Sequence, residues 1–283
     1  MRAASAPPSA AKVRMGFSPS PKQRHLLRFP IHGVIRRKSP AGTALRVSAE
    51  HSCLQVRSVS YCPPGTEHNL LNGVTFSLPE KSFGLIFGQS GSGKTTLLHL
   101  LAGLSKPTSG SICIQSYGHD GKPIQPPKLL SPERVGIVFQ FPERYFLADT
   151  ILEEVTFGWP RQRADPALRE KLSTGLQTAI NSVGLNTISL DEDPHALSGG
   201  FKRRLALAIQ LVQTPELLLL DEPLAGLDWK ARAGIVKLLK RLKNEVTLLV
   251  VSHDLKELSS LVDLSWRMEM GVLKEEPLPI WHR

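Results

Sequence analysis

Apolar positions along the chain fall into short runs of two kinds. Leu54–Tyr61 and Val74–Leu78 alternate apolar and polar residues like half-buried strands, and Pro63-Pro64-Gly65 makes a turn between them. Ser82–Phe87, Val135–Phe139, Leu217–Leu220 and Val246–Val251 are nearly continuous apolar runs of strand length, as expected of strands buried on both faces. Ser111–Gln115, after the turn Pro107–Gly110, reads as a further strand. Helical patterning occupies Thr95–Leu104, Thr150–Val183, Ser198–Val212, Asp228–Asn244 and Asp254–Val262, with Asp165-Pro166 suited to a helix N-terminus. Buried strands alternating with helices predict an α/β fold with a parallel sheet covered on both faces. Between Gln140 and Leu197 strong strands are lacking, so this stretch reads as a helical lobe inserted into the sheet domain.

Charge divides the chain of 283 residues in two. Residues 1–49 hold ten Lys or Arg and no acid; from Glu50 onward, 25 basic residues match 25 acidic ones. The net charge of +10 therefore belongs to the leader, and no basic nucleic-acid-binding body is implied. Arg-rich, Ser-containing and free of acid, residues 1–49 have the composition of a disordered organelle transit peptide. Its prolines work against the amphipathic helix of mitochondrial import, which makes a plastid address the first reading and a mitochondrion the alternative. No apolar stretch approaches the ~20 residues a bilayer requires, so work at a membrane needs a partner that spans it. Cys53, Cys62 and Cys113 match no metal-site spacing and read as reduced packing residues.

Gly88-Gln89-Ser90-Gly91-Ser92-Gly93-Lys94-Thr95, set between a predicted strand and a predicted helix, fits the phosphate-loop pattern. Glycines let backbone N–H groups turn inward around a phosphate, and the following helix points its positive end at the anion. Lys94 reaches the β- and γ-phosphates, the Thr95 hydroxyl is a hard ligand for Mg²⁺, and Thr96 follows in the first turn. The run Leu217–Leu220 then ends in Asp221-Glu222, placing one carboxylate to hold Mg²⁺ and the next to orient or deprotonate water.

Further motifs follow in a fixed order. They are Gln140 just after a strand, Leu197-Ser198-Gly199-Gly200-Phe201, Ala225-Gly226-Leu227-Asp228, and Val251-Ser252-His253-Asp254. Together these resemble the ATP-binding cassette (ABC) ATPases: a Q-loop, a variant LSGGQ signature, a D-loop and a switch-histidine loop. Tyr61, 27 residues before Gly88, stands where that family places an aromatic that stacks on adenine. Phe141-Pro142-Glu143-Arg144-Tyr145-Phe146, Thr150 and Val155-Thr156-Phe157-Gly158 resemble more narrowly the ATPase subunits of energy-coupling-factor importers of the cobalt and vitamin type.

The resemblance implies a P-loop NTPase (RecA-like) core over residues 50–283, with an antiparallel β subdomain and a helical subdomain inserted at about 141–200. It implies ATP and Mg²⁺ as cofactors, with Thr95, Gln140 and Asp221 at the metal and Glu222, Gln140 and His253 in catalysis. Tyr61, the loop Gly88–Thr96, Ser198, Gly199, Gly200 and Asp228 would contact nucleotide. A second cassette, identical or related, would close on the first, because the Ser198-Gly199-Gly200 helix tip is a second phosphate-seeking site beside a chain that already has one. The activity implied is transport-coupled ATP hydrolysis, powering import through an integral membrane subunit from the stromal side of the plastid envelope. A soluble ATPase of a plastid iron–sulfur scaffold is the alternative, and a nucleic-acid partner is not expected. Phe201 in place of Gln and Trp229 where the family often has Pro are departures. Lys202-Arg203-Arg204 reads as a solvated helix face.

Overall fold

The computed structural model describes residues 51–118, 121–159 and 166–278; the leader expected over residues 1–49 lies outside them. Two sheets organise the chain. The first pairs β1 (His51–Tyr61) with β2 (Leu71–Pro79) and with β4 (Ser109–Tyr117), and β4 with the short β5 (Lys128–Leu129), all antiparallel. The second runs β10-β9-β3-β8-β7-β6, built from β3 (Phe83–Phe87), β6 (Val135–Val138), β7 (Leu217–Asp221), β8 (Thr247–Val251), β9 (Leu264–Glu269) and β10 (Val272–Glu275). Within it β9, β3, β8, β7 and β6 are parallel and only β10 turns back.

The continuous apolar runs have a direct structural cause. Leu218 and Leu220 of β7 face one core with Phe83, Leu85, Leu248 and Val250, while Leu217 and Leu219 face another with Ile86, Leu249 and Val251. The first core is closed by α3 (Pro166–Val183), α4 (Gly199–Leu211) and α5 (Trp229–Leu242); the second by α1 (Lys94–Leu101) and the antiparallel sheet. A strand with helices on one side and a second sheet on the other has no wet face to mark with polar residues. Truncating a large aliphatic side chain in such a layer costs about 2–5 kcal/mol.

Two of the predicted helices are shorter than their patterns. The helical stretch from Thr150 divides into α2 (Ile151–Val155), capped by Thr150 Oγ1 accepting from Glu153 N, and α3. Gly158, at φ 84, takes a left-handed conformation unsuited to helix continuation. Asp254–Val262 yields only α6 (Leu255–Leu258) and a 3₁₀ turn at Ser259–Leu261. Strands β9 and β10 were not anticipated, although Leu264, Trp266 and Met268 alternate with polar residues. Between Gln140 and Ser198 the described residues form helices and turns and no strand.

Candidate functional site

Parallel strands send their carboxyl ends to one edge of a sheet, and in open α/β sheets ligands bind there. Here that edge receives the phosphate loop after β3, Gln140 shortly after β6, Asp221 and Glu222 at the end of β7, and Ser252 and His253 after β8.

Lys94 opens α1 and folds back over its own loop, its Nζ donating to the carbonyls of Gly88 at 2.9 Å and Gln89 at 2.8 Å. Desolvation pushes its ammonium pKa down, opposed by the carboxylates of Glu222 and Asp221. The Ser92 hydroxyl is buried in the same loop with no hydrogen-bond partner among the described residues. A cation resting on loop carbonyls and an orphaned donor are what a phosphate-accepting cradle presents.

Thr95 Oγ1 donates to Asp221 Oδ2 at 2.9 Å. Asp221 is buried, and burial raises its carboxyl pKa, with the Thr95 hydrogen bond working the other way. A desolvated carboxylate beside a hydroxyl is a pair of hard oxygens short of a cation, the donor set that suits Mg²⁺.

Glu222 follows in a left-handed backbone conformation at φ 47, its N–H donating to Val251 O at 2.8 Å. This conformation is costly for a residue with a Cβ and marks an imposed geometry. The Glu222 carboxylate receives Ser252 Oγ at 3.1 Å and the His253 N–H at 3.4 Å, and its Oε1 lies 2.9 Å from His253 Nδ1. Strand β8 therefore fixes the carboxylate that β7 carries. Ser252 Oγ also accepts from Asp254 N at 3.0 Å.

The hydrogen bond from Glu222 raises the His253 pKa above its ordinary value, with desolvation opposing it. A raised folded-state pKa contributes stability that is complete below the unfolded value of about 6.5 and is lost as pH climbs through the folded value. The melting temperature of the nucleotide-free protein should therefore fall modestly from pH 6 to pH 8. His253→Ala should flatten that segment of the profile, and an unchanged slope in the variant would exclude the pair as its source. The imidazole is largely exposed, so the effect is small.

Other expected residues take up varied positions. Tyr61 ends β1 half-buried against the inter-sheet core, and its carbonyl accepts from Leu70 N at 2.8 Å. Gln140 is half-buried beside Phe139, whose ring lies 5.9 Å from His99 and 4.9 Å from Tyr145. Gln89 and Ser90 are exposed and Thr96 is half-buried. Ser198 is exposed at the start of α4 with no side-chain capping bond, and Gly199 and Gly200 pack closely on Leu227 and Ala231. Among the described residues no hydrogen bond joins Ser198 to the phosphate loop of its own chain. Asp228 caps α5, its Oδ1 accepting from Ala231 N at 2.8 Å. Phe201 packs against the main core, and Trp229 is exposed.

One expectation is overturned and two residues are added. The Lys202-Arg203-Arg204 run is no solvated face: Arg203 is 4% exposed, and Arg204 donates to the Val183 carbonyl at 2.5 Å. Helical spacing carried the signal, since Arg203 lies three and four residues before buried Ala206 and Leu207. Ser252, named in its motif but given no task, grips Glu222. Arg232 of α5 ties the D-loop to the histidine loop, donating to Leu227 O at 3.1 Å, Asp254 at 3.0 Å and Glu257 at 2.9 Å. Cys53, Cys62 and Cys113 are free thiols.

Comparison with known proteins agrees with this geometry. Residues 71–225 match the family model described as "ABC transporter". The chain is 69% identical over 235 residues to ABC transporter I family member 11, chloroplastic, of Arabidopsis thaliana, covering 83% of this chain and 84% of that one. It is 36% identical over 216 residues to energy-coupling factor transporter ATP-binding protein EcfA2 of Clostridium acetobutylicum, with 74% of each covered. Among solved structures, cbiO1 of Clostridium perfringens, part of the ABC transporter complex cbiONQ, superposes with a TM-score of 0.66 at 29% identity, over 79% of this chain and 88% of that one. By this match and these likenesses the chain belongs to the ABC transporter family, as an ATP-hydrolysing nucleotide-binding domain of P-loop NTPase fold.

Proposed function

We propose that this domain is the ATPase subunit of an energy-coupling-factor-like importer in the plastid, driving uptake of a small solute such as a metal ion or vitamin through a separate membrane subunit. The observation that carries it is an apolar surface directly after Gln140. Phe141, Leu147 and Leu152 are exposed on the helical segment, with the Arg144 guanidinium 4.6 Å above the Phe141 ring. Exposed apolar side chains beside a nucleotide-sensing residue suit a docking groove for a partner. Among the described residues no helix is long and apolar enough to cross a membrane, so the spanning part would come from that partner. The names of the relatives, one chloroplastic and one of the energy-coupling-factor class, support the same reading.

In this reading Tyr61 stacks on adenine, and the loop Gly88–Thr96 cradles the phosphates. Lys94 leaves the carbonyls of Gly88 and Gln89 for the β- and γ-phosphate oxygens. Thr95, Asp221 and Gln140 would hold Mg²⁺, which when bound would supply charge neutralisation to the phosphates. Glu222, held by Ser252, takes the proton of the attacking water, and His253 hydrogen-bonds the γ-phosphate. Ser198, Gly199 and Gly200 close on the nucleotide of a second cassette, while Asp228, by capping α5, sets the D-loop between the two.

The test is capture from plastid membranes. A Glu222→Gln chain loaded with ATP should co-purify with an integral membrane protein. If it remains free of membrane proteins, or brings down iron–sulfur scaffold proteins instead, the importer reading fails.

A further inference from the structure

Arg203 occupies a place where an apolar side chain would cost less. It sits on α4, the helix that Ser198 opens, and its neighbours Leu205, Ala206, Leu207 and Ala208 all belong to the main core. Desolvation lowers its pKa, with Glu143 and Asp221 as the anions that oppose the shift. Taking a guanidinium out of water is expensive, and well-packed hydrophobic replacements of such groups are often neutral or stabilising. Packing does not account for it.

Its hydrogen bonds account for it better. Nη1 donates to the carbonyl of Phe139 at 3.0 Å, the residue before Gln140. Nη2 donates to the carbonyl of Ala225 at 3.2 Å, in the loop between Glu222 and Asp228. Among the described residues its buried Nε has no acceptor, so the two carbonyls are what the guanidinium holds. One planar, rigid group thereby fastens three segments: the exit of β6, the D-loop and the signature helix. A lysine has no fork with which to hold two carbonyls in fixed relation.

We propose that Arg203 is a positioning residue that makes the placement of the signature helix depend on the placement of Gln140. A shift of the Gln140 segment is passed through the Phe139 carbonyl to the guanidinium, and so to the start of α4, where Ser198 must meet the partner cassette's nucleotide. The inference rests on the proposed roles of Gln140 and Ser198 and adds the physical link between them.

The experiment is a double-mutant cycle on the full chain, combining Arg203→Met with Gln140→Ala and reading kcat at saturating Mg·ATP and ATP affinity by calorimetry. Arg203→Met alone should lower kcat roughly ten- to a hundredfold, the scale of a small misplacement of catalytic groups. ATP affinity should stay within about twofold, because the phosphate loop is untouched. In the Gln140→Ala background the same change should cost almost nothing further. Arg203→Lys, which keeps the charge, provides the same cycle if the methionine variant does not fold, and should restore only part of the rate. Penalties that multiply independently, or ATP affinity lost in step with kcat, would overturn the proposal. A Gln140→Ala chain turning over at the parental rate would instead overturn the role given to Gln140, and the link with it.

Discussion

Glu222→Gln should bind ATP about as tightly as the parent and hydrolyse it at least a hundredfold more slowly. The change replaces one carboxylate oxygen by an amide nitrogen and leaves the volume alone. In the proposed reading affinity resides elsewhere, in Lys94, Thr95 and Asp221, whose hydrogen bonds the substitution leaves in place. Turnover requires a group that accepts a proton at the right place, and a positioned general base contributes roughly 10²–10⁴ in rate. The structure shows how much is invested in that position. The residue adopts a left-handed backbone at φ 47, and Ser252 and His253 of the neighbouring strand's loop grip its carboxylate. A glutamine accepts the Ser252 bond, so geometry survives while basicity does not. Single-turnover hydrolysis alongside nucleotide binding separates the two quantities. Hydrolysis within tenfold of the parent would show that Glu222 is not the base.

Much of this arrangement is legible in the chain because its chemistry is local. Gly88 to Thr95 is one contiguous segment, and Leu217–Leu220 followed by Asp221-Glu222 announces both a buried strand and the charges at its end. Residues acting across the fold left weaker traces. Arg203 touches Phe139, 64 positions away, and Ala225, 22 away. A charge in a basic run reads as solvated unless helical spacing from Ala206 and Leu207 is followed back to it. Arg232 joins α5 to the histidine loop in the same manner. Strand β9 is harder to read because Leu264, Trp266 and Met268 are separated only by Ser265 and Arg267, a short alternation that needs its parallel partner β3 to become convincing. The carboxylate of Asp228, placed at the nucleotide by its motif, is engaged with Ala231 N, as helix-start chemistry allows for any aspartate in that position.

Gly88 and Gly91, two glycines of the phosphate loop, should respond very differently to alanine. Gly88 leaves β3 at φ 144, where L-residues are strained, and a Cβ there would stand 2.2 Å from the carbonyl oxygen of Met268. That oxygen belongs to the backbone of β9, which is paired with β3 as Phe87↔Arg267, so relief requires separating two strands of the central sheet. Backbone strain of about 1–3 kcal/mol adds to the disturbed pairing, and Gly88→Ala should lose about 3 kcal/mol or more of stability. At roughly 2–4 °C per kcal/mol for a domain of this size, its melting temperature should fall by about 6–12 °C, with nucleotide binding lost as the loop's origin moves. Gly91, at φ 78, has nothing within 4 Å of its would-be Cβ. Gly91→Ala meets only the left-handed backbone penalty of about 1–2 kcal/mol, and its melting temperature should fall by about 2–8 °C, less than that of Gly88→Ala, while its methyl crowds the phosphate cradle. Thermal melts of the two nucleotide-free variants, measured side by side, decide the matter. Equal losses would mean that the contact between Gly88 and β9 does not constrain the loop, and that the motif's first glycine serves the phosphate alone.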